Sequence, residues 1–214
     1  MTLTAEFPRL KRGLVAILRG LRPEEAETVG SAVFEAGIEA LEVPLNSPDP
    51  FRSIETLARR LPSTALVGGG TVLTAADVDL LNAAGGRLLV SPNIDQAVMQ
   101  RAAHHRMVTM PGVFTPTEAF LAISLGASAL KFFPASVLGA KGIAAVRAVL
   151  PATAQIGAVG GVSDKNFDEY ANVGVTVFGL GASLYTPGAS AAETGARAVA
   201  AVAAYDAAFP GGFV

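Results

Sequence analysis

Cysteine and tryptophan are missing from this sequence of 214 residues, and lysine is scarce, with four positions against twelve arginines. Without cysteine the chain can form neither disulfides nor thiolate metal sites, so cysteine usage gives no information on compartment. The amino-terminal residues lack the apolar region of a signal peptide, and no uninterrupted apolar run is long enough to span a bilayer. The net charge is −2 and the basic residues are scattered, which argues against nucleic-acid binding. We therefore expect a cytoplasmic protein with neither a membrane nor a nucleic acid as partner.

Hydrophobic residues are abundant, at 51%, with a mean hydropathy of +0.46, and they fall into a repeated pattern. A short apolar run, a turn with glycine or proline and an alanine-rich amphipathic segment recur at a spacing of roughly twenty to twenty-five residues, as in parallel α/β folds. The runs predict strands at 14–18, 38–43, 65–67, 88–90, 107–110, 127–134, 155–159 and 175–180. Eight such units favour a single (β/α)8 TIM barrel over an open sheet. We expect one domain over 1–214, with a short helical segment at 1–12 and a closing helix at 191–208.

One lysine, Lys131, interrupts the apolar run of the sixth predicted strand. Burying an ammonium group is unfavourable and lowers its pKa, and a lysine that is partly neutral near pH 7 is a nucleophile for ketones. The alternative is a side chain at a strand end that reaches solvent along its aliphatic stem. The sequence around Lys131 does not decide between the two interpretations.

Polar residues recur at the carboxyl ends of the predicted strands, which form the active-site face of such barrels. They include Arg19, Glu42, Thr71 and Asn93. Glu42 is the one ionisable residue of the apolar stretch Ala40-Leu41-Glu42-Val43-Pro44, which indicates a general acid or base with a raised pKa. Alternatively, Glu42 forms an ion pair with Arg19 on the neighbouring strand. The two interpretations are compatible, because Arg19 can orient Glu42 and also hold a substrate carboxylate.

Glycine-rich turns follow the last two predicted strands, at Gly160-Gly161 and at Gly181-Ala182-Ser183. This is the usual place for a phosphate site in these barrels, because glycine lets backbone N–H groups approach an anion. His104 and His105 are adjacent and have no carboxylate at ligand spacing, so we expect no metal site and no cofactor.

Seven ordered motifs resemble the 2-keto-3-deoxy-6-phosphogluconate and -galactonate aldolases, over nearly the whole chain. They are Ile17-Leu18-Arg19-Gly20, Glu42-Val43-Pro44-Leu45-Asn46-Ser47, Gly70-Thr71-Val72, Ser91-Pro92-Asn93, Pro111-Gly112, Leu130-Lys131-Phe132-Phe133-Pro134 and Val159-Gly160-Gly161-Val162. The resemblance implies a class I aldolase, a carbon–carbon lyase that works through a Schiff base. Lys131 would form the Schiff base and Glu42 would transfer protons. The resemblance also implies a homotrimer.

The same resemblance assigns the substrate-binding residues. Arg19 and Thr71 would handle the pyruvate end, and Gly160, Gly161 and Ser183 the phosphate end. With the neighbouring turn residues, the predicted set is Arg19, Thr71, Asn93, Val159, Gly160, Gly161, Gly181, Ala182 and Ser183.

Three positions resemble the galactonate branch of the family. Pro44-Leu45-Asn46-Ser47 stands where gluconate enzymes usually carry Thr-Leu-Arg-Thr, Val159 stands in place of threonine, and Asn93 in place of glycine. Phe114 occupies a position where a small residue is expected, and it could narrow the pocket.

The expected reaction is cleavage of 2-dehydro-3-deoxy-6-phosphogalactonate to pyruvate and D-glyceraldehyde 3-phosphate. Cleavage of the gluconate epimer, or of both epimers, is an open alternative. A phosphosugar isomerase that uses Glu42 as base, or a non-catalytic phosphosugar-binding barrel, also remains open, because a fold alone does not settle function.

Overall fold

The computed structural model describes residues 5–213, and its centre is a sheet of nine parallel strands. Every strand residue is buried, as expected for a parallel sheet that is covered on one side by helices and closed around side chains on the other. The strands are β1 (Leu14–Ile17), β2 (Ala40–Pro44), β3 (Leu66–Gly70), β4 (Leu88–Val90), β5 (Val108–Met110), β6 (Gly112–Val113), β7 (Leu130–Phe132), β8 (Ile156–Val159) and β9 (Val177–Leu180). Their order in the sheet is β5-β4-β3-β2-β1-β9-β8-β7-β6.

The first and last strands of this order, β5 and β6, are two parts of one barrel strand. Pro111 separates them because proline has no N–H group for the ladder. The carbonyl of Thr109 accepts a hydrogen bond of 3.0 Å from the N–H of Ala129, and the carbonyl of Pro111 accepts one of 2.9 Å from Lys131. The nine strands therefore occupy eight positions around the ring, and the predicted TIM-type α/β barrel is confirmed.

Eight helices lie between and after these strands in the described part of the chain. They are α1 (Pro23–Glu35), α2 (Pro50–Arg60), α3 (Ala75–Ala83), α4 (Gln96–His104), α5 (Pro116–Ser124), α6 (Ala135–Arg147), α7 (Phe167–Ala171) and α8 (Ala191–Ala208). Thr74, Thr115 and Ser190 begin three of them with capping boxes, in which the side chain accepts from the third helical N–H. The closing helix has the predicted bounds. None of the helices between residues 5 and 213 has the length and apolar character needed to cross a bilayer.

The amino-terminal segment differs from its predicted helix. Residues 5–12 are not helical, whereas residues 1–4 lie outside the described part. Pro8 cannot donate a helical hydrogen bond and disfavours helical geometry at the residue before it. Instead, Ala5 forms an isolated parallel bridge with Val108, and its N–H donates to the carbonyl of Met107 over 3.1 Å. The segment therefore crosses the end of the barrel opposite the strands' carboxyl ends.

Candidate active site

Lys131 lies in the middle of β7, with its side chain only 6% exposed. The residues paired with it on the two neighbouring strands are Gly112 and Gly157. Neither neighbour has a side chain, and other groups fill the space beside them: a Cβ atom at Gly112 would overlap with the carbonyl oxygen of Pro92, and one at Gly157 with Cε of Met110. The Nζ atom of Lys131 lies 4.7 Å from the centre of the Phe133 ring. The alternative in which this side chain reaches solvent is therefore wrong.

Burial is the main reason why the amine of Lys131 is less basic than that of an exposed lysine. It lowers the pKa of the amine from 10.5 to about 8, although the negative charge of Glu42 acts in the opposite direction. The positive charge of Arg19 lowers the pKa of Lys131 further. A larger share of this amine is therefore neutral near pH 7 than in an exposed lysine, as a nucleophile requires.

Glu42 lies on β2 and is 2% exposed. The carboxylate occupies space left by Gly70 on β3, because a Cβ atom at Gly70 would overlap with both of its oxygens. The Oε2 atom of Glu42 has no hydrogen-bond partner among the described residues. Burial raises the pKa of Glu42 to about 7, against the positive charges of Lys131 and Arg19. A carboxyl group of this kind gains and loses a proton near neutral pH, which suits general acid–base catalysis.

Arg19 follows β1, and its side-chain hydrogen bond goes to an unpredicted partner. Its Nη1 atom donates to Oδ1 of Asn46 over 2.5 Å. The alternative in which Glu42 forms an ion pair with Arg19 is therefore wrong, and Arg19 acts on Glu42 through its charge across space. The hydrogen bond prevails because Asn46 lies in the exposed loop after β2, within reach of Arg19, whereas Glu42 is buried inside the strand.

A cavity of about 430 Å³ opens at the carboxyl ends of β1, β8 and β9. Seven of the predicted site residues line it: Arg19, Val159, Gly160, Gly161, Gly181, Ala182 and Ser183. Gly160 and Gly161 have φ angles of 92° and 78°, a left-handed geometry that glycine adopts without strain. Among the described residues, the N–H groups of Gly161, Ala182 and Ser183 have no intramolecular acceptor. They are free to donate to an anion such as a phosphate group.

Side chains hold the Gly160-Gly161 turn in place. Asn166 donates from Nδ2 to the carbonyl of Gly161 over 3.0 Å and accepts from the N–H of Ser163 over 2.9 Å. The hydroxyl of Ser183 donates to the carbonyl of Val162 over 3.1 Å, which joins the two glycine-rich turns. Both glycine-rich turns that line the cavity are therefore held by side-chain hydrogen bonds.

A family model of the KDPG and KHG aldolases matches residues 9–200, most of the chain. The chain belongs to this aldolase family. It is therefore an enzyme of the carbon–carbon lyase class.

Individual relatives agree with this assignment. The enzyme is 60% identical to a probable 2-dehydro-3-deoxy-6-phosphogalactonate aldolase of Rhizobium meliloti (strain 1021), over 96% of this chain and 97% of the relative. It is 44% identical to the 2-dehydro-3-deoxy-6-phosphogalactonate aldolase of Escherichia coli (strain K12), over 91% and 95% of the two chains. A solved structure of native KDPGal superposes with a TM-score of 0.93 at 42% identity, covering 96% of this chain and 99% of the other.

Four predicted site residues of the enzyme do not line the cavity: Lys131 and Glu42, which are buried inside the barrel, and Thr71 and Asn93. Thr71 is partly buried directly after Gly70, with a φ angle of 56°. Asn93 is exposed in the loop after β4, where its carbonyl accepts from the hydroxyl of Ser91 over 2.7 Å. Thr71 and Asn93 lie at the carboxyl ends of strands, as predicted. Phe114 is also absent from the cavity lining, so the expectation that it narrows this cavity is not supported.

Sequence reasoning missed other residues of the cavity. The additional lining residues are Ile17, Phe133, Val162, Ser163 and Gly179. Ser163 follows the Gly160-Gly161 turn by two residues, and this position near a predicted anion site is a signal that could have identified it. Ile17, Val162 and Gly179 carry no chemical signal in the sequence, because their place in the cavity depends on the twist and register of the strands.

Proposed function

We propose that the enzyme is a class I aldolase that cleaves 2-dehydro-3-deoxy-6-phosphogalactonate to pyruvate and D-glyceraldehyde 3-phosphate. The observation that carries this proposal is the buried Lys131, whose pKa is lowered to about 8 beside a carboxyl group, Glu42, whose pKa is raised to about 7. A partly neutral amine and a carboxyl group that titrates near neutrality are the two groups that imine formation from a ketone requires.

In the proposed mechanism the neutral amine of Lys131 attacks C2 of the substrate and forms a carbinolamine. Glu42 protonates the departing hydroxyl, so water leaves and an iminium forms. A base, Glu42 directly or through water, then removes the proton of the C4 hydroxyl. The C3–C4 bond breaks, its electron pair passes into the iminium, and the aldehyde product leaves. Protonation of the enamine at C3 and hydrolysis of the iminium release pyruvate and restore Lys131.

Arg19 and the glycine-rich turns bind the two anionic ends of the substrate in this proposal. The free N–H groups of Gly161, Ala182 and Ser183 support a phosphate site in the cavity. The guanidinium of Arg19 lies at the same cavity and always carries a positive charge, which suits a carboxylate. Thr71 would contact the pyruvate end, and Asn93 would contact substrate from the β4 loop.

The preference for the galactonate epimer is the most specific part of the proposal. It is supported by Val159 in the cavity lining, by the Pro44-Leu45-Asn46-Ser47 sequence after Glu42, and by the names of the two relatives described above. The epimers differ at C4, and one hydroxyl group gives variable discrimination, so the gluconate epimer is the alternative substrate. Steady-state kcat/KM for both epimers tests this. A higher value for the gluconate epimer would overturn the preference and leave the aldolase chemistry intact.

Borohydride trapping with pyruvate tests the imine mechanism directly. Reduction in the presence of pyruvate should add one pyruvate-derived group to Lys131, located by intact mass and peptide mapping. Lys131→Ala should remove both the adduct and turnover, whereas Lys165→Ala, at an exposed lysine, should change neither. Absence of an adduct in a folded sample would overturn the imine mechanism. An isomerase that uses Glu42 as base or a phosphosugar-binding barrel would then be the better interpretation.

We further propose a homotrimer of single-domain subunits in the cytoplasm. Phe120 and Leu121 on α5 are 45% and 42% exposed, and apolar side chains exposed in this way are typical of contact surfaces. Light scattering should give a mass close to three times 21.7 kDa. A mass close to that of one chain would contradict the trimer without affecting the proposed chemistry.

A further inference from the structure

The loop after β2 reaches across to the turn after β1 and contacts it at two consecutive residues. Asn46 accepts a hydrogen bond of 2.5 Å from the guanidinium of Arg19. The hydroxyl oxygen of Ser47 accepts one of 2.9 Å from the N–H of Gly20, the residue that follows Arg19. Ser47 is 8% exposed, so this second bond is shielded from water. One bond therefore fixes the side chain of Arg19 and the other fixes the backbone next to it.

The opposite side of the same turn is also held. Gly20 has a φ angle of 83°, and a Cβ atom there would lie 2.7 Å from Cγ of Pro187, in the loop after β9. The turn therefore lies between the β2 loop and the β9 loop, and the left-handed backbone at Gly20 lets it fit. Arg19, the residue before Gly20 in this turn, lines the cavity.

We propose that Asn46 and Ser47 are positioning residues that hold Arg19 for the anionic end of the substrate. This inference rests on the proposed function, in which Arg19 binds the substrate carboxylate. An arginine side chain has many rotamers, and fixing one of them lowers its conformational entropy. If Arg19 is already ordered, this entropy is not lost when the substrate binds, so the free energy of binding is more favourable. Asn46 and Ser47 contribute that ordering without contacting the reacting atoms.

The neutral amide of Asn46 suits this role better than a carboxylate. Its oxygen accepts from Arg19 but leaves the positive charge of the guanidinium uncompensated, so the charge remains available to an anion. A carboxylate at this position would keep the hydrogen bond and neutralise much of the charge. Asn46→Ala and Asn46→Asp therefore separate geometry from charge.

The first experiment measures the pyruvate concentration that gives half-maximal trapping on Lys131, in a double-mutant cycle of Asn46→Ala and Arg19→Ala. Asn46→Ala should raise this concentration about tenfold, the size of one hydrogen bond to a charged group, with little change in the rate at saturation. In the Arg19→Ala background the same substitution should have no further effect. Equal effects in both backgrounds would overturn the inference, because Asn46 would then act independently of Arg19.

A second experiment reads the position of Arg19 without enzyme activity. Phenylglyoxal modifies accessible arginines, and peptide mapping gives the rate at Arg19 relative to Arg147; both side chains are exposed, so the hydrogen bond to Asn46 is the difference that the assay reads. The rate at Arg19 should rise in Asn46→Ala and in Ser47→Ala and stay at the wild-type value in Asn46→Asp. Pro48→Ala, in the same loop, is the matched control and should leave the rate unchanged. An unchanged rate in Asn46→Ala would overturn the inference.

The two experiments separate this inference from the proposed function. If wild-type enzyme traps no pyruvate, the aldolase mechanism fails, and the phenylglyoxal rates still decide whether Asn46 and Ser47 hold Arg19. If pyruvate is trapped but Arg19→Ala and Asn46→Ala leave the half-maximal concentration unchanged, the mechanism stands and the positioning role is wrong.

Discussion

A single methyl group at Gly70 should stop catalysis while leaving the barrel folded. The Cβ atom of an alanine there would overlap with both oxygens of the Glu42 carboxylate. The backbone of β3 is extended at Gly70, so alanine meets no conformational penalty, and the atoms in its way are the far end of one side chain. We therefore expect Glu42 to change position rather than the strand.

The size of the effect follows from the acid–base role proposed for Glu42. A positioned general acid or base contributes about 10²–10⁴ in rate, and displacement of a catalytic group by about 1 Å costs on the order of 10². Gly70→Ala should therefore lower kcat by about 10² or more, with a small change in the thermal midpoint. Steady-state kinetics and thermal unfolding of the same preparation measure both quantities.

The neighbouring glycines provide controls. A Cβ atom at Gly69 would meet the flexible side chain of Leu81 at 3.1 Å, so Gly69→Ala should retain activity close to wild type. At Gly68 a Cβ atom would overlap with the backbone of Leu88, so Gly68→Ala should unfold the protein. The reasoning is refuted if Gly70→Ala turns over like wild type, or if it loses activity only because it no longer folds.

Three further predictions concern the candidate active site. The pyruvate-trapping rate at Lys131 should rise with pH through a midpoint near 8, because the neutral amine is the proposed nucleophile and burial has lowered its pKa. An exposed lysine would titrate at about 10.4. A midpoint near that of an exposed lysine would contradict the burial argument. In Glu42→Gln the midpoint should move below that of wild type, because the negative charge of Glu42 raises the pKa of Lys131; trapping rates across pH in the two proteins test the sign. Gly161→Ala should raise KM for the phosphorylated substrate about tenfold yet leave pyruvate trapping unchanged. The added Cβ atom would lie 2.5 Å from Cβ of Ser136, and the φ angle of 78° at residue 161 disfavours alanine, so the turn that offers its N–H to the phosphate would shift. An equal loss in both assays would show that Gly161 does not act at the phosphate end alone.

Much of the fold was predictable because short apolar runs end at glycine or proline. The predicted strand 88–90 and helix 191–208 have the bounds of β4 and α8. The end of the fifth strand was harder to predict, because Pro111 was interpreted as the residue at which the strand stops. The chain in fact resumes pairing at Gly112–Val113, since β7 offers acceptors and donors on both sides of the proline. Continuation of a strand past a proline depends on its neighbours, and the local sequence does not contain that information.

The sequence predicted which residues lie together in the candidate site, but it did not predict which of their atoms form hydrogen bonds. Every strand-end residue falls at one end of the barrel, because parallel strands that point the same way bring their carboxyl ends together. The alternative that paired Arg19 with Glu42 was wrong, because side-chain reach and burial, which the sequence does not give, bring Arg19 to Asn46. Likewise the place of residues 5–12 depends on the bridge between Ala5 and Val108, which is more than one hundred residues away in the sequence.

The glycine beside Glu42 connects this sequence to its proposed chemistry. Gly70 leaves room for the carboxylate of Glu42. Glu42 and Lys131 both lie deep in the barrel, and burial raises the pKa of the acid from 4.5 to about 7 and lowers that of the amine from 10.5 to about 8. In water the two pKa values are far apart, so a proton would remain on the amine and block its attack. In the barrel they lie close together, so a proton can pass between the proposed nucleophile and its proposed acid–base partner at little cost near neutral pH.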